Sequence, residues 1–282
     1  MRFSLKTFFA FPILAALGGT AVAADLAPPA PEPLAPAPGT WLVTVGAGPA
    51  VIPSFPGAKT YTVVPVGRIK WRRPGEPEPF FAPDDAASID ILDFGWFKAG
   101  PAFGFVPRRG LSNGNGNFAG LHNVPLTIEG GAFVEFWPAS FLRARLEVRQ
   151  GFNGHRGLVG NVAVDGIYRI GQFTASLGPR IALGNTRYMN AYYTVTPAES
   201  LANGIVPPFQ SYGGIRSLGV FAAVKYDFTP NWSLTVFGGY DRLVNGAGES
   251  PIPNQLGSKN QFKAGTILAY TFSFDGFGFF RP

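Results

Sequence analysis

The stretch that decides the fold is Leu142–Gln150, which reads Leu-Arg-Ala-Arg-Leu-Glu-Val-Arg-Gln. Every even position up to residue 148 is apolar, and every odd position from 143 to 149 carries a charge. Strict alternation is the period of a β-strand, on which all these charges share one face. In a soluble protein the apolar face would meet a core. In a membrane barrel it would meet lipid, and the charges would face an enclosed polar lumen.

The N-terminus has the pattern of an export signal, which favours the membrane barrel over the soluble protein. Two cations precede an apolar run at residues 8–17, and Ala-Val-Ala at residues 21–23 forms a small-residue cleavage site. We therefore expect residues 1–24 to be a cleaved signal peptide. The Ala- and Pro-rich residues 25–39 predict an extended periplasmic linker, because proline fixes its φ angle and lacks an amide hydrogen. No later run of 18 apolar residues exists, so no transmembrane helix is predicted in the mature chain.

The composition narrows the class further. The chain of 282 residues has no cysteine, which excludes disulfides and thiolate metal sites. Removing the two cations of the signal peptide from the 23 basic side chains leaves 21 against 17 acidic ones. A net charge of about +4 is too small to indicate nucleic acid as a partner. Aromatic residues make up 15% and charged residues 14% of the chain, a balance unusual for a soluble domain.

Alternation like that of the opening stretch recurs along the chain. The predicted strands are residues 41–48, 61–71, 88–92, 97–106, 126–137, 142–150, 158–170, 172–183, 218–228, 232–240 and 260–274. Counting Phe80–Ala82 as a short strand gives twelve, and losing weak N-terminal strands gives ten. Short and long connections alternate, as in barrels with short periplasmic turns and long outer loops. We predict an all-β, transmembrane, antiparallel up-and-down β-barrel of about twelve strands at residues 40–274, with a C-terminal tail at 275–282.

The charges of neighbouring strands allow a register to be predicted. A hairpin centred on residue 139 places Glu135 opposite Arg143 and Glu129 opposite Arg149, which pairs opposite charges across the polar face. In this register Arg145 lies opposite an apolar residue. Arg145 is therefore the residue of this strand that we expect to be free to meet a solute.

The charges of the polar faces are the best candidates for a functional site. The predicted lumen-facing charges are Arg68, Lys70, Glu129, Glu135, Arg143, Arg145, Glu147, Arg149, Asp165, Arg169, Arg180, Lys225 and Lys263. In one interpretation they set the selectivity of an aqueous pore, and their positive excess favours anions. In the other they pair across strands and fill a narrow lumen, because small barrels are largely filled by their own side chains.

Catalytic and metal sites are not indicated. The only histidines, His122 and His155, both lie in predicted loops, where we interpret them as exposed loop residues. Hydrolysis of the Ser-His-Asp type needs a histidine held by a fixed partner, and no such constellation or metal-ligand spacing is apparent. We expect no enzymatic activity and no cofactor.

A resemblance adds to this interpretation. The motifs that carry it are Leu142–Gln150, Gly154–Val159, Ser176–Arg180, Arg187–Pro197, Tyr212–Gly214, Asn231–Leu234, Gly239–Leu243, Glu249–Ile252 and Gly257–Phe262. They cover most of residues 126–274, and on them the chain resembles the MipA/OmpV outer-membrane proteins, a family named for an MltA-interacting protein. One departure is the Pro-rich region 72–86, which lacks the family's usual strand-forming run.

The resemblance implies a non-enzymatic barrel in the outer membrane of a Gram-negative bacterium, surrounded by its lipid. Two roles stay open. One is a structural scaffold of the cell envelope that links a murein-degrading transglycosylase to a murein synthase. The other is a porin-like path for small solutes. The family has no catalytic residues to carry over.

The long outer loop that begins near Arg187 contains a predicted helix start. Thr196 is the predicted N-cap, Pro197 lies in the first turn, and Glu199 closes a capping box. A short helix here either folds into the barrel mouth as a gate or orders a surface lid. The predicted loop and lid residues are Arg187, Tyr188, Met189, Tyr192, Thr196 and Pro197.

Overall fold

The structure, a computed structural model, describes residues 40–110 and 117–275. The predicted signal peptide, the linker and residues 276–282 of the predicted tail lie outside the described residues. The strands are β1 Thr40–Pro53, β2 Tyr61–Arg72, β3 Ala87–Ser88, β4 Leu92–Asp93, β5 Phe97–Val106, β6 Thr127–Ala139, β7 Leu142–Asn153, β8 Leu158–Ile170, β9 Phe173–Gly184, β10 Gly214–Asp227, β11 Trp232–Leu243 and β12 Asn260–Asp275.

The twelve strands form one antiparallel sheet that curls into a nearly closed barrel. Each strand from β5 to β12 pairs with its neighbour in the chain, and β12 returns to pair with β1. The two edges of the sheet are β2 and the short strands β3 and β4, and in the described part of the chain no backbone ladder joins them. Lys70 Nζ of β2 and Asp90 Oδ2 lie 3.8 Å apart across this seam. The predicted fold class is confirmed.

The two faces of the wall differ as the alternation predicts. Apolar side chains of the outer face are exposed, for example Val63 at 67%, Ile128 at 60% and Leu177 at 63%. Charged side chains of the inner face are buried, for example Arg143 at 1% and Asp165 at 1%. An apolar outside around an ionic inside is the arrangement of a barrel placed in lipid.

The predicted register of β6 and β7 is wrong by two residues. Glu135 pairs with Arg145 and Glu129 pairs with Gly151, because the turn between the strands contains two residues and an irregularity follows at Phe136–Ala139. The extra residue of a bulge shifts every pair beyond it. The sequence pattern does not reveal such a shift.

The ends of the barrel differ in their connections. At one end, here called the short-turn end, β6 joins β7, β8 joins β9 and β10 joins β11 by a few residues. The other, long-loop end carries the helices α1 Thr186–Tyr193, α2 Pro197–Asn203 and α3 Asn245–Glu249 and a π-helical turn, Ile252–Leu256. Within residues 40–110 and 117–275, no helix has the length and apolar character needed to cross a membrane.

Candidate functional site: a filled and capped lumen

Arg143 lies among three carboxylates of the lumen, although its Nε makes no hydrogen bond. Its Nε lies 2.9 Å from Glu135 Oε2 on β6, and its Nη1 donates to Asp165 Oδ2 on β8 at 2.8 Å. Its Nη2 donates to Asp85, which belongs to no strand. Glu135 was the partner that the sequence suggested for Arg143, and it contacts Arg143 diagonally despite the shifted register. Three carboxylates thus surround one guanidinium.

Arg145 is not free to meet a solute, contrary to the sequence-based expectation. Its Nε donates to Glu147 Oε1 at 2.8 Å, and its Nη1 donates to Glu135 Oε2 at 3.1 Å. Its guanidinium lies 3.8 Å from the ring centre of Phe133. The expectation fails because the true register brings Glu135 directly opposite Arg145.

The row of ion pairs along β6 and β7 continues toward the long-loop end, where it includes a histidine. Arg149 Nε donates to Glu129 Oε2 at 2.9 Å, and Arg149 also pairs with Glu147. His155 Nε2 lies 3.0 Å from Glu129 Oε1, while its Nδ1 accepts from Gly157 N at 3.0 Å. The interpretation of His155 as an exposed loop residue is wrong, because its side chain is 0% exposed. The pair of His155 and Glu129 is the last of this row of ionic contacts.

A segment without regular strands crosses the lumen. Residues 73–86, here called the strap, leave β2 at the short-turn end and join β3, where Ala87 pairs with Phe103 near the long-loop end of β5. Phe80–Ala82, considered a short strand from the sequence, form no strand. Proline-rich sequence favours such an extended crossing, because it cannot donate to a ladder.

Carboxylates of the strap pair with cations on the strands of the barrel wall. Glu78 accepts from Arg68 Nη2 at 2.5 Å and pairs with Lys225. Asp84 Oδ2 accepts from Arg180 Nε at 2.8 Å and lies 3.7 Å from Lys263 Nζ. The pairing neutralises the cationic excess that the wall would otherwise present to the lumen.

The aromatic residues of the strap pack where its charges pair. Phe80 contacts the ring of Trp137 edge-on at 6.0 Å, and the Arg143 guanidinium lies 5.3 Å from the Phe80 ring centre. The Arg68 guanidinium lies 5.2 Å from the ring of Phe81. Each ring thus adds a cation–π contact to a guanidinium that is already ion-paired.

The remaining predicted lumen charges also have partners, with one at the rim. Asp165 accepts from Arg180 Nη2 at 2.7 Å in addition to Arg143. Lys263 Nζ lies 3.3 Å from Asp241 Oδ2. Arg169 is exposed at the short-turn end, where its Nη1 donates to Ser140 O at 3.1 Å.

The strap divides the free space of the lumen into two chambers. The lower chamber, at the short-turn end, has a volume of about 970 Å³ and reaches from the strap residues Glu78 and Phe80 to Arg169 at the rim. The upper chamber has a volume of about 370 Å³ and lies between Asp84 and Asp85 of the strap and Phe55 of an outer loop. The lumen therefore contains space on both sides of the strap.

A lid closes the long-loop end. It consists of residues 54–60, 107–110, 117–126, 185–213 and 244–259, which share an apolar core. One cluster of that core contains Phe55, Ala58, Phe118, Leu121, Val195, Val206, Ile252 and Leu256. The other contains Val124, Val159, Tyr188, Met189, Tyr192, Tyr193, Leu243 and Ala247. Residues from these ranges thus form two neighbouring apolar clusters at the long-loop end.

The predicted lid residues divide between two helices, of which the sequence indicated only one. The capping box of α2 is confirmed: Thr196 Oγ1 accepts from Glu199 N, and Glu199 accepts from Thr196 N. Residues 186–193, predicted as loop, form α1, which Asn185 caps and which buries Tyr188, Met189 and Tyr192. Arg187 is exposed on the same helix. The spacing of the buried residues by three and four was the signal that could have revealed α1.

Two charged groups hold the lid segments together. His122 Nδ1 lies 2.5 Å from Glu199 Oε1, and the His122 amide donates to the same oxygen at 2.8 Å. Burial opposes the ionised form of Glu199, but hydrogen bonds from Thr196 and His122 outweigh it and lower its pKa to about 2. Arg109 Nη1 donates to Tyr192 O at 2.7 Å. Burial lowers the pKa of Arg109 to about 10, so it stays protonated at neutral pH.

These observations define the class of protein. An apolar outer face, an ionic inner face and a barrel with long loops at one end describe a transmembrane β-barrel whose lumen is crossed by a strap and covered by a lid.

The comparisons with known proteins place the chain within this class. The family model described as MltA-interacting protein MipA matches residues 45–272. The chain belongs to the MipA family and is an outer-membrane β-barrel of the Gram-negative cell envelope. By the rule that bacterial barrels place short turns in the periplasm, its short-turn end is the periplasmic end.

Solved structures provide more distant likenesses. The COG4313 outer membrane channel from Pseudomonas putida F1 has 11% identity and a TM-score of 0.42, covering 86% of this chain and 99% of that one. Neisserial surface protein A has 12% identity and a TM-score of 0.27, covering 83% and 100%. The outer membrane protease OmpT from Escherichia coli has 11% identity and a TM-score of 0.28, covering 86% and 98%. The comparison with curated proteins gave no match.

Proposed function

We propose that this protein is a structural barrel of the outer membrane that does not conduct solutes freely, and that its periplasmic end links murein-remodelling enzymes to the membrane. The observation that carries the proposal is the strap. Its carboxylates Glu78, Asp84 and Asp85 pair with wall cations on several strands, which ties it into the lumen. A lumen filled by such a network suits a structural element better than an open pore.

The description of the family supports the choice of partner. The matching model is described as an MltA-interacting protein, and MltA-type enzymes act on murein, which lies on the periplasmic side of the outer membrane. The short-turn end, which we infer to be periplasmic, offers the exposed rim around Arg169, and β1 begins at this end, directly after the Ala- and Pro-rich residues 25–39 in the sequence. Both are suited to capturing an enzyme without opening the lumen.

Co-isolation from membranes tests the scaffold. The tagged protein is expected to recover a lytic transglycosylase together with a murein synthase, identified by mass spectrometry and by murein-cleaving activity. A variant that lacks residues 26–38 and carries Arg169→Glu should recover much less. The matched control is Arg187→Glu, which reverses an exposed charge on the lid at the opposite end. Equal recovery with all three proteins, or with an unrelated barrel of the same membrane, would contradict the proposal.

Passive passage of small solutes is the second candidate, and the two chambers favour it. Their volumes of about 970 and 370 Å³ provide room for a small solute on each side of the strap. Passage would require both the strap and the lid to move. Swelling of proteoliposomes in small sugars distinguishes the two functions: the scaffold predicts no swelling above that of empty liposomes, whereas a porin-like path predicts swelling that falls with solute size.

A further inference from the structure

The upper chamber is a compartment of small-molecule size between the strap and the lid. Its floor is formed by Asp84 and Asp85 of the strap, and its roof includes Phe55 and Pro56 of the lid. Its volume of about 370 Å³ falls within the range of about 300–1,000 Å³ of small-molecule sites. A structural barrel that needs only a filled lumen has no use for such a compartment beneath its lid.

Arg216 enters this chamber because of a β-bulge. On β10, Ile215 pairs with Leu183 of β9 and Ser217 pairs with the adjacent Ala182, so Arg216 is an extra residue in the ladder. Bulges interrupt the alternation of a strand and re-aim a side chain, often next to a binding site. Arg216 accordingly lines the upper chamber together with its neighbour Ser217.

The guanidinium of Arg216 has no polar partner in the part of the chain that the structure describes. Its Nε is buried without a hydrogen-bond partner. No carboxylate oxygen of the described residues lies within 4.0 Å of it, and its one aromatic contact is the ring of Tyr188 at 5.0 Å. Arg143 and Arg180 in the same lumen each pair with at least two carboxylates.

Arg216 is half-buried, and a cation that is partly removed from water without an ionic partner is costly. Arg216 lines the chamber without a carboxylate partner among the described residues, and the fork of a guanidinium can receive both oxygens of a carboxylate. The missing partner of Arg216 is thus an anion of matching geometry.

The rest of the lining restricts the kind of anion. Phe55, Pro56 and Ala163 provide apolar surface, which suits an apolar body next to the charged group. Asp241 and Asp84 also line the chamber and share Lys263, at 3.3 and 3.7 Å from its Nζ. A second negative charge on the ligand would be repelled by these carboxylates, so the lining favours a monoanion.

We propose that the upper chamber is a binding site for a small organic monocarboxylate with an apolar body. Its carboxylate lies on Nη1 and Nη2 of Arg216, beside the Tyr188 ring, and its body contacts Phe55 and Ala163. This site is independent of the scaffold proposed above, since co-isolation of a murein enzyme requires no ligand in the lumen.

Benzoate and hexanoate serve as probes in the test. The full chain is refolded from urea into detergent with each probe present, so that a closed lid does not prevent entry, and binding is measured by equilibrium dialysis. We expect one probe molecule per chain. Arg216→Gln should weaken binding by about tenfold or more, because the charged fork is lost. The matched control Arg187→Gln removes an exposed arginine that does not line the chamber and should leave binding unchanged.

Two further measurements keep the proposal falsifiable if Arg216→Gln folds poorly. Benzamide, the neutral counterpart of benzoate, should bind the unaltered protein at least about tenfold more weakly. Without probe, Arg216→Gln should unfold at a temperature no lower than the unaltered protein, since it removes an unpaired, half-buried charge. Absence of bound benzoate and hexanoate, equal binding of benzamide, equal binding by Arg216→Gln, or equal binding of inorganic phosphate would each overturn the proposal.

Discussion

The inner wall of the barrel and the lid above it bury their side chains by opposite means. Around Arg143 the wall buries charges, and three carboxylates from β6, β8 and the strap converge on one guanidinium. Around Met189 the lid buries apolar and aromatic side chains, with Tyr192 and Tyr193 both 0% exposed. The wall is therefore specific in its pairing, whereas the lid is held by packing.

This difference predicts how the stability of each region responds to a substitution. Removing one partner of a buried ion network leaves the others charged and unpaired, so damage spreads to the whole network. Removing one side chain from an apolar cluster leaves a cavity, which weakens that cluster alone. We therefore expect the wall to respond as a unit and the lid to open without unfolding the barrel.

The largest expected effect is at the centre of the wall network. Arg143→Met should lower the free energy of unfolding by about 3–5 kcal/mol, because Glu135, Asp165 and Asp85 would stay buried without their shared cation. Urea unfolding in lipid vesicles, followed by tryptophan fluorescence, measures it. The control Arg169→Met, at the exposed rim, should stay within about 0.5 kcal/mol of the unaltered protein. Equal effects of the two changes would mean that the network contributes nothing.

The next largest effect is expected at Met189 and distinguishes the stability of the lid from that of the wall. Met189 is 0% exposed, so Met189→Ala should cost about 2–5 kcal/mol of local stability by leaving a cavity in the lid. Hydrogen exchange should become faster for the amides of α1 and the lid and stay unchanged for β6–β9. Arg187→Ala, an exposed change on the same helix, is the matched control. Faster exchange in both regions would show that lid and wall open together.

The smallest effect concerns the polar contacts of the lid. Because the folded-state pKa of Glu199 is about 2 against an ordinary 4.5, its contribution is present above pH 4.5 and is lost as the pH falls toward 2. Protection of the α2 amides should decrease over that range.

Glu199→Gln tests the origin of this pH dependence. The variant should lack the pH dependence and lose about 1 kcal/mol at neutral pH, as for other helix caps. The control Leu201→Ala changes a side chain that is 86% exposed on the same helix and should keep the pH dependence. An unchanged profile in Glu199→Gln would assign the effect to another group.

The strands of the wall could be predicted because their pattern is local. Alternation in residues 142–150 identifies the strand, its lipid face and its ionic face without knowledge of any neighbour. The pairing could not be predicted in the same way. The position of the turn at residues 140–141 and one irregularity before it together moved every partner by two positions, and so Arg145 gained the carboxylate that we had expected it to lack.

The strap and the site at Arg216 depend on distant contacts. Asp84 meets Arg180 across 96 positions of sequence, and no local pattern in the Pro-rich region announces that contact. The position of Arg216 in the upper chamber depends on the bulge on β10. The sequence does not reveal this bulge, so nothing in it distinguishes Arg216 from other charged residues near strand ends. His155 was misjudged for the same reason, since its partner Glu129 lies on another strand.

Single-channel conductance in planar bilayers tests most directly whether the strap closes the lumen. The comparison is between the unaltered protein and the triple variant Glu78→Gln, Asp84→Asn, Asp85→Asn, in which the strap keeps its shape but loses its charges. We predict no stable open level for the unaltered protein and frequent openings for the variant. A steady conductance in the unaltered protein that the triple substitution leaves unchanged would contradict the account.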